Sequence, residues 1–203
     1  MKVSVHGIIG CIFVLVVLVV STKFYNHRGR WYSQGKEKQI AALPGFGFLY
    51  RYVQVSTLVA SVASFLSDHP ATLKVYHEFT LLYVGLALGA LAFPVFIWAK
   101  ITLGAHYSPC FDSFVPGQIV DEGPYAYVRH PIYTSNLLLL LGLFIATGSL
   151  WLAINFVIVG IYYVTSARKE EEALREQLPA YREYAARTGG FVPRRNRRER
   201  NQQ

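Results

Sequence analysis

The chain has 203 residues, of which 53% are hydrophobic and only 16% charged, against roughly a quarter charged in soluble domains. Its net charge of +8 comes from residues that flank apolar runs: ten of the twenty Lys and Arg lie beyond Ser166, and five lie between Lys23 and Lys38. That pattern marks basic membrane edges and argues against a nucleic-acid partner, while two Cys (Cys11 and Cys110) without ligand spacing argue against a disulfide framework or a metal site.

The first apolar run, 3–21, has GIIGCIFVLVVLVV at its centre and is long enough to cross about 30 Å of hydrocarbon. No A-x-A-like cleavage site follows it, so it reads as a retained transmembrane helix and not as a signal peptide. A basic stretch, 23–42, leads to a second run at 46–66, where Arg51 and Gln54 can reach the interface. Ser56, Ala60 and Ser64 recur every four residues there and offer a small face for close helix packing. The third run, 79–99, carries Gly85 and Gly89 as GxxxG, and Pro94, which predicts a kink.

After a polar loop at 100–129 come two further apolar runs, 131–147 and 149–165, separated by little more than Gly148 and Ser149. Each has about 17 residues, the lower limit for a span, and the pair predicts a tight helical hairpin. ARKEEEALREQL then continues the fifth span beyond the bilayer as a charged helix. Pro179 is placed to open a second short helix, PAYREYAAR, with Gly189 and Gly190 as its stop. RRNRRERNQQ reads as a basic, disordered tail.

The expected fold is therefore an all-α, polytopic integral membrane protein with about five transmembrane helices, a C-terminal helical hairpin and a cytosolic helical tail. With the N-terminus outside, 17 Lys and Arg fall on the inner side and two outside, as the positive-inside rule requires. The C-terminus is then cytosolic, at the endoplasmic reticulum in a eukaryote or the inner membrane in a bacterium. Three regions result: 1–99, with three helices and their loops; 100–193, which holds the chemistry; and 194–203, the tail.

The chemistry lies in DEGPYAYVRHPIY, 121–133, placed directly before the hairpin. Each part has an ordinary reading. Pro131 suits a first helical turn, Arg129 suits a positive inner edge, and Tyr125, Tyr127 and Tyr133 suit an interfacial belt. The hairpin, however, returns Glu170, Glu171 and Glu172 to the face that holds Arg129 and His130. Positive, negative and aromatic groups in one cup suit a zwitterion with a cationic centre: Arg grips a carboxylate, a carboxylate grips an ammonium, and Tyr faces attract an onium charge. S-adenosylmethionine has these three features. If its acceptor is an amine or thiol, a base is needed, for which His130 and Glu171 are candidates; a carboxylate acceptor needs none.

GPYAYVRHPIY, the apolar hairpin and EEEALREQLPAYREYAARTGGFVP together resemble the catalytic half of the isoprenylcysteine carboxyl methyltransferases and the related phospholipid methyltransferases, over residues 101–193. The resemblance implies an S-adenosylmethionine-dependent integral membrane methyltransferase acting on a lipidated or lipophilic acceptor, such as a prenylated cysteine carboxylate on a small molecule or protein. It implies a cofactor site of Gln118, Ile119, Val120, Tyr125, His130, Pro131, Ile132, Tyr133 and Glu170, with Arg129, His130 and Glu171 as catalytic candidates. Two positions depart from the pattern. Pro179 stands where the family often has Gly. Ser166 stands where prenylcysteine enzymes carry an Arg, with Arg168 displaced, which loosens the substrate more than the methyl transfer. The competing readings are a membrane sterol or steroid reductase using NADPH, and a non-catalytic scaffold whose basic tail binds anionic lipid.

Overall fold

A computed structural model describes residues 4–28, 39–40, 46–68, 70–76, 78–104, 113–114 and 119–194. Lys2, Arg30, Lys36, Lys38, Cys110 and the tail beyond Arg194 lie outside the described residues. The chain is mostly helical: α1 Val5–Arg28, α2 Phe46–Leu66, α3 Phe79–Leu103, α4 Pro131–Thr147, α5 Leu150–Gln177 and the short α6 Tyr181–Arg187. Single 3-10 turns occupy Pro70–Thr72 and Gly123–Ala126. One element was not anticipated by the all-α reading, a two-residue antiparallel pair in which β1 Gln39–Ile40 meets β2 Ser113–Phe114.

Among the described residues two helices, α3 and α5, are long and apolar enough to cross a bilayer, while the apolar helices Val5–Val20 and Pro131–Thr147 are shorter. Helix α3 runs uninterrupted through Pro94 and four residues past the expected end of its span. Helix α5 is one continuous rod of 28 residues, so its apolar part and the charged RKEEE segment share an axis, as the sequence predicts. Helix α6 begins at Tyr181, not at Pro179: Leu178, Pro179 and Ala180 form the connecting turn, in which the Tyr181 and Arg182 amides bond back to the Leu178 and Pro179 carbonyls.

Small residues set the closest packing. A methyl group on Gly85 of α3 would stand 2.3 Å from the Gly142 carbonyl and the Ala146 amide of α4, and one on Gly142 would stand 2.7 Å from the Gly85 carbonyl. The two backbones touch, so the GxxxG signal serves the α3–α4 contact. On α2, Ser61 and Ser64 are fully buried, and the Ser56 and Thr57 hydroxyls accept the Asn155 amide of α5 at 2.9 and 3.0 Å. Asn155 is itself buried, and this pairing satisfies a polar group that hydrocarbon would leave without a partner.

The α4–α5 hairpin turns at Gly148, whose φ of +65° is a left-handed conformation that suits glycine. Its apex docks on the segment after α2. The Val75 amide donates to the Gly148 carbonyl, the Leu150 amide to the Leu73 carbonyl, and the Ser149 hydroxyl to the Thr72 carbonyl at 2.9 Å. At the same end, His6 near the start of α1 lies 2.8 Å from the Tyr83 hydroxyl near the start of α3. The starts of α1, α3 and α5 and the ends of α2 and α4 therefore share one end of the bundle. The opposite end holds the start of α4 and the charged extension of α5.

Candidate active site

At that second end the chain brings together segments some forty residues apart. Pro131 opens α4, where its missing N–H costs no helix bond, and His130 occupies the cap position. Three residues on, Tyr133 points the same way, and its ring stacks on the His130 imidazole with centroids 5.4 Å apart and planes within 4°. Tyr163 of α5 continues the column at 4.4 Å from Tyr133, and its hydroxyl accepts the Asn136 amide at 3.0 Å.

Glu171 is the hub. Its Oε1 accepts from Arg129 Nε at 2.9 Å and lies 2.8 Å from Arg129 Nη2, while Oε2 accepts from Arg175 Nη2 at 2.7 Å. His130 Nε2 stands 3.0 Å from the same Oε1. Burial pushes this carboxyl up, but the hydrogen bonds and charges of His130 and Arg129 outweigh burial and hold it down at about 2. It is thus ionised and can only accept, so the proton between it and His130 sits on Nε2. His130 Nδ1 then faces Glu170 Oε2 at 3.8 Å, beyond hydrogen-bond range, while the Tyr133 hydroxyl donates to the other Glu170 oxygen in a short contact.

The third party is the segment after α6. Arg129 and His130 donate their backbone amides to the Gly189 and Gly190 carbonyls at 2.8 and 3.1 Å, which makes a parallel bridge beside Val128. The Arg129 Nη1 donates to the Ala185 carbonyl at 3.2 Å and, in a short contact, to the Thr188 carbonyl, so this guanidinium closes the C-terminus of α6. Phe191 lays its ring against His130 at 5.6 Å and Tyr133 at 6.4 Å, and its carbonyl accepts the Thr134 hydroxyl at 2.8 Å. Tyr184 donates to the Tyr125 carbonyl at 2.8 Å; burial raises the Tyr181 and Tyr184 phenols well above their ordinary value, so both stay protonated.

Of the residues singled out from the sequence, the structure unites Arg129, His130, Tyr133, Glu170 and Glu171. Pro131 is fully buried at the helix start. Ile132 packs into the apolar cluster that contains Val53 and Val159. Tyr125 is buried on the 3-10 turn, on the side of α6. Ile119 and Val120 are half-buried in the run that leads to that turn, and Gln118 lies outside the described residues. Sequence reasoning missed Arg175, Phe191 and the Gly189–Gly190 bridge. Arg175 was legible as the i+4 partner of Glu171, whereas the glycine pair read only as a helix stop.

Comparisons with known proteins match part of the chain. The cobalt-zinc-cadmium resistance protein CzcN of Cupriavidus metallidurans is 40% identical over 77 residues, which is 37% of this chain and 36% of that protein. The nickel-cobalt-cadmium resistance protein NccN of Alcaligenes xylosoxydans xylosoxydans is 35% identical over 78 residues, which is 38% of this chain and 37% of that protein. The match therefore spans little more than a third of these relatives' length. Residues 80–180 match the family model described as phospholipid methyltransferase, and these residues contain α4, α5 and the whole His130–Glu171 cluster. By that match, which covers about half of its length, the chain belongs to the phospholipid methyltransferase family.

Proposed function

We propose that the protein is an S-adenosylmethionine-dependent integral membrane methyltransferase acting on a lipophilic acceptor. The observation that carries this reading is the convergence of His130 Nδ1 and Glu170 Oε2 at 3.8 Å, walled by the Tyr133 and Tyr163 rings. An imidazole nitrogen and a carboxylate oxygen set this close together can both accept from one ammonium group. Aromatic faces beside them favour an onium charge. His130, Tyr133 and Glu170 thus fit the amine and sulfonium of the cofactor and would hold it. When bound, S-adenosylmethionine supplies an activated methyl group for transfer to a nucleophile.

The chain's own residues then divide into two kinds. Arg129, with Nε, Nη1 and Nη2 all engaged by protein acceptors, and Glu171, held between two guanidiniums, are positioning groups. A carboxyl held at about 2 is a poor proton acceptor at neutral pH, so Glu171 orients the imidazole instead of acting as base. With Nε2 holding its proton against Glu171, His130 has one lone pair left, on Nδ1; it accepts from the cofactor's ammonium or, where the acceptor is an N–H or S–H nucleophile, takes that proton instead. The ionised Glu171 stabilises the imidazolium that results.

The acceptor is placed by depth. On α5, Trp151, Ile154, Val157, Ile161 and Val164 form one exposed apolar stripe that gives way to exposed Arg168. Glu170 lies six residues past Val164, a rise of about 9 Å, which is the level of lipid headgroups. We place all five long helices across the bilayer, with the N-terminus outside and the site on the cytosolic face, as the alternating helix ends and the basic inner edges favour. In this arrangement 100–193 is the catalytic region and α1–α3 support it. Purified protein supplied with labelled S-adenosylmethionine and a panel of acceptors (lipid amines, prenylated cysteine carboxylates and thiols) should label one class. No label in any class, with the protein folded, refutes the reading.

A further inference from the structure

The closed structure explains Gly189 but not Gly190. A methyl group on Gly189 would stand 1.9 Å from the Val192 carbonyl, so the tight turn after α6 has no room for one. A methyl group on Gly190 would meet nothing nearer than Arg129 Nη2, at an ordinary 3.6 Å, and Gly190 is not among the residues with positive φ. An alanine would fit there without strain. Yet the glycine stands directly before Phe191, in a segment whose fastenings all run to one short stretch of chain. They are the Arg129 and His130 amides, the Arg129 guanidinium on the Thr188 carbonyl, the Thr134 hydroxyl, and the rings of His130 and Tyr133. Val192 and Pro193, just beyond, are exposed.

His130, Tyr133 and Glu171 are each about 8% exposed in this arrangement. Phe191 covers the imidazole and packs against Tyr133 on one side, and Tyr163 covers Tyr133 on the other. The His130 side chain is only 7% exposed, against 20% for Glu170, so a ligand that is to reach the imidazole needs something to lift. The fastenings of α4 to α5 are helical packing and the Glu171 ion pairs. Those of residues 188–191 to the rest of the site are four hydrogen bonds, from the Arg129 and His130 amides, the Arg129 guanidinium and the Thr134 hydroxyl, and one ring, the least costly to release.

We infer that residues 188–191 form a hinged strap over the site: Phe191 is a positioning residue that holds the His130 ring in place when the strap is closed, and Gly190 is the hinge that lets it lift for ligand exchange. This rests on the reading of the cluster as a cofactor site. The glycine at 190 belongs to the open form, in which the chain needs conformations that an alanine disfavours. Gly190→Ala leaves the closed form intact and narrows the open one. A change of this kind shifts such an equilibrium by a factor of about two to five.

Two measurements on the purified full chain test this separately. Hydrogen exchange at the Arg129 and His130 amides, which the strap protects, reports opening without any ligand. Exchange in Gly190→Ala should slow by about two- to fivefold, and in Phe191→Ala it should quicken. Release of pre-bound labelled S-adenosylhomocysteine into an unlabelled chase reports the gate. It should slow in Gly190→Ala, quicken in Phe191→Ala and return to wild type in Phe191→Tyr, which keeps the ring. Phe191→Ala should also lower kcat more than it raises KM, since the imidazole loses its packing. Unchanged amide exchange in Gly190→Ala overturns the hinge, and release at the wild-type rate in both variants overturns the gate. If the wild type shows the expected exchange but binds no S-adenosylhomocysteine, the cofactor reading fails, and the gate falls with it.

Discussion

Removal of the Glu171 carboxylate should loosen the site end of the bundle far more than a surface ion pair would. The side chain is about 10% exposed and accepts from Arg129, Arg175 and His130 within 3.0 Å. Arg175 is 47% exposed, and its i,i+4 pair contributes only about 0.3–0.5 kcal/mol. The weight lies with Arg129, whose side chain is 15% exposed and which also closes α6. Glu171→Ala leaves that guanidinium buried without its counter-charge, a change that costs about 3–5 kcal/mol. Glu171→Gln keeps an acceptor and should cost about half as much. Because α6 and the strap hang on Arg129, the loss should appear first as local opening. Amide exchange at residues 129–130 and 188–191 should quicken at least a hundredfold in Glu171→Ala.

Acid gives a second handle on the same pair. The folded carboxyl sits at about 2, below its ordinary 4.5, so the protection it confers is complete above pH 4.5 and is lost as pH falls toward 2. Wild type and Glu171→Gln should therefore converge between pH 4.5 and pH 2. An exchange ratio between them that stays constant across that window, or a Glu171→Ala variant that exchanges like wild type at pH 7, would refute the ion-pair account.

Other outcomes follow from the same geometry. Gly85→Ala should destabilise the protein in denaturant titration, because its methyl would stand 2.3 Å from α4 backbone; Gly160→Ala, with its nearest neighbour at 3.9 Å, should stabilise it by about 0.5–1 kcal/mol. If both glycines tolerate alanine equally, the α3–α4 contact is misread. Asn155→Leu removes two hydrogen bonds to α2, each worth about 0.6 kcal/mol in a membrane, and should lower stability by about 1 kcal/mol without changing the activity per folded molecule. Tyr133→Phe keeps the ring stack but removes the donor to Glu170. It should weaken S-adenosylhomocysteine binding about tenfold in calorimetry while thermal unfolding shifts little; an unchanged affinity would detach Glu170 from the ligand.

Much of this was legible in the sequence because membrane helices and hairpins leave strong local signals. The apolar runs located α1 to α5, Gly85 and Gly89 marked a close contact, and Gly148 marked the turn that returns Glu170 and Glu171 to His130. The division of labour between the two carboxylates was not legible. Glu170 and Glu171 are adjacent and identical in type, and only the helical rotation decides that Glu171 meets Arg129 and Arg175 while Glu170 meets Tyr133. The strap was hidden for another reason. Its bonds are made by backbone carbonyls of Gly189, Gly190 and Phe191, groups that every residue carries. Nor could periodicity show the two-residue strand pair, which joins positions more than seventy residues apart.

The central claim is that His130 and Glu170 act together on one bound donor. Its most direct test is single-turnover transfer of labelled methyl from S-adenosylmethionine in purified wild type, His130→Ala, Glu170→Ala and the double variant. With each variant shown to be folded, each single change is expected to abolish transfer, and the double is expected to be no worse than either, as for groups that work as a unit. Near-wild-type transfer by either single variant, or two partial losses that multiply as independent sites do, would contradict it.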